Sequence, residues 1–132
     1  MWDPLRRKEV ADTPEESVRQ WFIGVLENSA GVPRHMMMSE VAFKFGGKPF
    51  RADILVYDRS LKPLAVVECK RPDVDITDEV AEQAMRYNAA LDVDFIFLTN
   101  GGRTLLFGRE EGDVFTPKTG LPSYKEMLLC RQ

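Results

Sequence analysis

"RADILVYDRSLKPLAVVECK", residues 51–70, decides the reading of this chain. An apolar run ends at "DRSLKP", a turn-forming stretch, and a second apolar run returns through "VVECK". The pattern is a hairpin of two strands, about 50–57 and 63–70. Three charged residues, Asp53, Glu68 and Lys70, stand in it where valine or isoleucine would be the safe choice.

Side chains alternate across a strand, so Glu68 and Lys70, two apart, share one face. Symmetric pairing about Ser60 and Leu61 sets Asp53 opposite Glu68, Arg51 opposite Lys70 and Leu55 opposite Val66. Ile54, Val56, Ala65, Val67 and Cys69 then point to the other face. One bulge would spoil this grouping.

Opposed carboxylates destabilise a sheet unless a cation lies between them. Hard oxygen donors without imidazole or thiolate suit Mg²⁺ or Mn²⁺, which keep several waters and use one or two carboxylates. Such an ion would acidify a water and stabilise charge on a phosphate. Lys70 beside it is a point charge able to orient that water or neutralise the developing phosphorane. Cys69 points away and is discounted as a ligand. An isolated Glu-x-Lys is more often a surface ion pair. The longer pattern, an aspartate fifteen residues earlier on the adjacent strand and a helix on either side, is more specific.

Outward from the hairpin, "DTPEESVRQWFIGVLEN" reads as a first helix. Thr13 is its N-cap, Pro14 opens it, Glu16 completes a capping box, and Val18, Trp21, Phe22, Val25 and Leu26 form its apolar stripe. A strand at about 39–45 turns through "FGGKPF" into the hairpin. "DITDEVAEQAMRYNAAL" is a second helix, capped by Asp75 or Thr77, with Val80, Ala84, Tyr87 and Leu91 along one side. "DFIFLTN" is a buried strand, Asn100-Gly101 a turn, "RTLLFGR" a returning strand, and "LPSYKEMLL" a short closing helix. The order α-β-β-β-α-β-β makes the second helix a right-handed crossover between parallel strands. The expected architecture is a mixed α/β fold with helices packed on the sheet, one domain over residues 1–132.

Of the 132 residues 44% are hydrophobic and 30% charged, the balance of a globular protein. No membrane span or signal peptide is expected, and two cysteines, Cys69 and Cys130, make no disulfide framework, in keeping with a cytoplasmic location. The net charge of −3 argues against gripping nucleic acid by bulk charge. Its distribution is uneven: residues 34–71 hold eight Lys/Arg against four acids, residues 72–113 three against ten. "FGGKPF" is no phosphate-binding loop, His35 reads as a surface residue, and Met36, Met37 and Met38 read as core filler.

"RAD…VECK" resembles the PD-(D/E)XK nuclease motif, with Ala52 where the motif often has proline. From "WDPLRRKEVADTPEESVRQ" through "AEQAMRYN" to "TNG" and "LPSY", the chain resembles the N-terminal nuclease domain of type I restriction enzyme R subunits. More narrowly, it is similar to small bacterial proteins consisting of that domain alone. The resemblance implies a restriction endonuclease-like fold, an αβββαβ core with an extra strand and a short C-terminal helix. It also implies Mg²⁺-dependent hydrolysis of DNA phosphodiesters. Asp53 and Glu68 take the metal-ligand positions and Lys70 the catalytic lysine position.

Gln83 and Tyr87 fit a Q-x-x-x-Y motif that several such nucleases carry on the following helix, where they would contact DNA backbone or support the site. A further glutamate from the first helix is Glu15, nearer the apolar stripe, with Glu16 as the alternative. The chain stops before any helicase motor, so no ATP use is expected. The expected partners are DNA and either a second copy or restriction-system subunits. Two functions follow: a metal-dependent DNA endonuclease, or a non-catalytic nucleic-acid-binding or interaction module that keeps the fold.

Overall fold

A computed structural model describes residues 1–131. A two-stranded hairpin opens the chain, β1 (Trp2–Asp3) and β2 (Lys8–Glu9), followed by α1 (Pro14–Asn28) and a 3₁₀ turn (Arg34–Met36). Then come β3 (Met37–Phe45), β4 (Lys48–Tyr57), β5 (Pro63–Cys69), α2 (Asp78–Asn88), β6 (Phe95–Thr99), β7 (Thr104–Arg109), β8 (Phe115–Lys118) and α3 (Tyr124–Leu129). The last six strands form one sheet in sequential order, antiparallel except for β5 and β6. α2 is the crossover between those two parallel strands, as the sequence order requires. The mixed α/β architecture expected from the sequence is the one observed.

The sheet is buried on both sides. Ile54, Val56, Ala65, Val67 and Cys69 pack with Val18, Phe22 and Leu26 of α1 and Met127 of α3. Leu55, Val66, Ile96 and Leu98 pack with Ile76, Ala81 and Ala84 on the α2 side. This double burial is why "FIFLT" in β6 is a continuous apolar run, buried throughout. No helix among the described residues is long and apolar enough to cross a membrane.

Several details differ from the sequence reading. The β1–β2 hairpin and β8 were not expected; both are short and polar, too brief for alternation to register. The buried side of α1 is Glu16, Val18, Arg19, Phe22, Ile23 and Leu26, while Trp21 is 46% exposed. The stripe is therefore rotated towards Arg19, because buried carboxylates answer its charge. Thr13 accepts the Glu16 N–H, so the N-cap is present, but the Glu16 carboxylate is engaged by arginines and leaves the capping box half made. α2 starts after Thr77, which caps it, not after Asp75, and ends at Asn88, short of Leu91.

The pairing of β4 with β5 follows the symmetric register: Leu55 faces Val66, and Ile54 faces Val67. That pairing stops at Ile54. Residues 48–52 of β4 pair only with β3, from Val41↔Ala52 to Phe45↔Lys48. Between the two halves the pleat breaks. Phe50 and Ala52 face the α2 side, yet Ile54 and Val56 face α1, so alternation fails across Asp53. The irregularity has a partner on β3, where Glu40 has φ of 53° and its pairing with Asp53 is missing. A left-handed glutamate is uncommon and locally costly.

Candidate active site

Where β4 and β5 part, a cleft of about 480 Å³ opens beneath α2. Asp53, Glu68, Lys70, Gln83 and Tyr87 line it, and Glu15 reaches it from α1. Glu16 does not. Its Oε1 accepts from Arg6 Nη2 at 2.6 Å and Arg19 Nη1 at 2.7 Å, and its Oε2 accepts from Gln20 at 3.0 Å. Burial opposes its ionisation, but the Arg6 and Gln20 hydrogen bonds and the Arg19 charge outweigh this and hold its pKa below the usual range. Of the two glutamates opening α1, Glu15 is the one in the cleft.

Asp53 sits at the fork. Its Oδ2 accepts the Cys69 N–H at 2.7 Å, replacing the ladder bond that ends there, and its Oδ1 accepts from Arg19 Nη2 at 3.0 Å. The Cys69 backbone serves the site, but its thiol is buried on the α1 face. Burial first, and then the Asp53 charge, push that thiol's pKa up, which leaves it a poor ligand. Lys70 lies just past β5, fixed by its N–H donating to Thr99 O at 2.8 Å. Its Nζ is 2.9 Å from Glu68 Oε2. The other Glu68 oxygen accepts from Asn88 Nδ2 at 2.9 Å.

Three residues at the site escaped the sequence reading. Asn88 is buried at the end of α2 and also donates to Ala84 O at 2.8 Å, so its amide is fixed before it meets Glu68. An asparagine four residues after Ala84 on an apolar helix face was the available signal. Arg19, with its side chain 4% exposed, joins four acids. Beyond Asp53 and Glu16, its Nη2 lies 3.0 Å from Glu40 and 3.3 Å from Glu15. Burial disfavours its charge, but the Asp53 hydrogen bond and the surrounding acids raise its pKa. Glu40, the third, bridges Arg19 to Arg51. Nothing in a strand pattern marks a residue of that kind.

Tyr87 is 45% exposed, its ring 5.1 Å from that of Phe50 and its hydroxyl accepting the Arg51 N–H at 3.3 Å. Gln83 is exposed, one turn before it.

The donor set suits a hard divalent ion. Each oxygen of Asp53 and Glu68 has one protein partner, and carboxylate oxygens retain further lone pairs. No three His, Cys, Asp or Glu side chains form a metal cluster among the described residues. Two carboxylates with the remainder water is the coordination habit of Mg²⁺.

The family model for the type I restriction enzyme R protein N terminus matches residues 14–122. The chain belongs to that family. Solved structures with this fold include these two. One is a fragment of a candidate HsdR subunit of a type I restriction enzyme from Vibrio vulnificus YJ016, 23% identical with a TM-score of 0.64. The match covers 90% of this chain and 26% of that one, so this chain spans about a quarter of that relative's length. The other is a candidate nuclease belonging to DUF820 from Anabaena variabilis ATCC 29413, 12% identical with a TM-score of 0.52, covering 93% of this chain and 84% of that one. The curated proteins include no match.

Proposed function

We propose that this chain is a metal-dependent DNA endonuclease acting in the cytoplasm. The observation that carries this is the convergence on one cleft of Asp53, Glu68 and Lys70 with Glu15, Gln83 and Tyr87. Asp53 and Glu68 would hold Mg²⁺ or Mn²⁺, with Glu15 assisting from the rim through water. The ion would supply Lewis acidity to the scissile phosphate and acidify a water.

The remaining work belongs to the chain. Lys70 holds the attacking water beside Glu68 and neutralises charge that builds on the phosphate oxygens. The water gives one proton to solvent as its oxygen bonds to phosphorus, one P–O ester bond breaks, and the departing oxygen takes a proton back from solvent. Asn88 keeps the Glu68 carboxylate aimed, and Arg19 does the same for Asp53. Gln83 and Tyr87 hold the DNA backbone. The domain would act alone, as a homodimer, or with restriction-system subunits.

A second reading, a DNA-binding module without chemistry, is favoured by one observation: Arg19, Lys70 and Asn88 already engage the carboxylates. Supercoiled plasmid decides between them. The endonuclease nicks it with Mg²⁺ or Mn²⁺, stops in EDTA, and loses activity in Asp53→Asn. Metal-independent shift of plasmid without nicking supports the second reading.

A further inference from the structure

We infer that the free end of the β3–β4 hairpin is a duplex DNA arm, entering the major groove beside the phosphate held in the cleft. The inference rests on the nuclease reading of that cleft and adds where the flanking duplex lies. Beyond Ile54, β4 has no partner on its β5 side, so 41–45 and 48–52 form a two-stranded ribbon projecting from the sheet. A ribbon of that kind has the width the major groove admits.

Its charge fits the same occupant. Residues 41–52 contain Lys44, Lys48 and Arg51 and no acid, in a chain whose acids outnumber its bases 21 to 18. Register sets Lys48 on the face of Phe43 and Phe50, and Lys44 on the opposite face. The ribbon thus offers a cation to each wall of a groove. Neither Lys44 nor Lys48 makes an ion pair among the described residues, so both ammonium groups are available to phosphates.

The arm is continuous with the cleft. Arg51 and Tyr87 line both the cleft and an apolar groove along the ribbon, where the Phe43 and Phe50 rings stack at 6.2 Å. The chain's acids cluster outside the ribbon. Asp73, Asp75, Asp78, Glu79 and Glu82 crowd the start of α2, and the nearby Arg71 and Arg86 are paired with Asp73 and Glu82. The ribbon thus offers Lys44 and Lys48 to phosphates that flank the cleft. Lys48 is five residues from Asp53 along β4, about 17 Å of strand. That distance corresponds to roughly five base pairs at about 3.4 Å each.

The test is the salt dependence of binding to a fluorescent 30-base-pair duplex in EDTA, for wild type and Lys44→Gln/Lys48→Gln. Each phosphate contact contributes about 0.9 to the slope of log K against log salt. The double variant should lose about 1.8 from that slope, with its melting temperature and its Mn²⁺ affinity in the cleft unchanged. An unchanged slope overturns the arm. So does a concentration-dependent dimer that the double variant abolishes, since the ribbon's occupant is then a second copy. If the slope is unchanged but Asp53→Asn still loses Mn²⁺, the arm fails and the cleft reading survives. If wild type binds no duplex, both fail.

Discussion

The inner and outer halves of β4 belong to one strand and do different work. Ile54, Leu55 and Val56 are sealed between two strands and two helical layers. Residues 48–52 have one neighbouring strand and carry exposed Lys48, Pro49 and Arg51. Asp53 stands at the boundary. A carboxylate is tolerated there because the missing β5 partner frees the Cys69 N–H for it and leaves room for Arg19 on the other side. The difference teaches that the site is a consequence of the sheet splitting, and that its acids are positioned by irregular backbone rather than by alternation.

The contrast breaks most visibly in stability. Ile54→Ala, which leaves a cavity at a fully buried position, should cost about 4 kcal/mol in denaturant unfolding. Arg19→Met comes next, at about 3 kcal/mol, because it removes one of the two arginines on the buried Glu16 carboxylate and releases Asp53 and Glu40. If Arg19→Met unfolded no more easily than wild type, the acids would not depend on it. Saturating Mn²⁺ should stabilise the wild type by about 2.7 kcal/mol at 100 times Kd and leave Asp53→Asn unmoved. Equal shifts in both proteins would put the ion elsewhere. Lys48→Ala, on the outer half, should stay within about 0.5 kcal/mol of wild type.

Much of this was legible and some was not. The symmetric turn fixed the Leu55–Val66 register, but the pairing stops at Ile54, so Asp53 and Glu68 share the cleft rather than a strand pair. The helix after the hairpin could be aligned because Val80, Ala84 and Tyr87 fall along one side, and with Gln83 they line the cleft. Strict alternation misled at Asp53, since it assumes a continuous pleat and Glu40 interrupts it. Arg19 was hidden for a related reason. A charged residue beside Val18 reads as a flank of the apolar stripe until the acids that bury it are brought together from β3 and β4.

Acid should expose that hidden network. Burial opposes ionisation of Glu16 and of Asp3, which Arg6 joins to it, but hydrogen bonds from Arg6 hold both pKa values below their ordinary 4.5 and 3.8. Groups lowered on folding add stability that is complete above the unfolded pKa and is lost as pH falls through the folded one. The melting temperature should therefore decline below about pH 4.5, and Glu16→Gln should flatten that decline. An identical acid limb in the variant would remove Glu16 from the account.

The nicking rate of Lys70→Met on supercoiled plasmid, relative to wild type, tests the central claim most directly. Methionine keeps roughly the length and packing of the lysine stem, removes its charge and leaves both carboxylates in place. Duplex affinity should fall only slightly, while nicking in Mg²⁺ should fall about 100-fold or more, the usual loss with one transition-state charge stabiliser. A Lys70→Met protein that nicked at the wild-type rate would contradict the assignment of this cleft as a phosphodiesterase site.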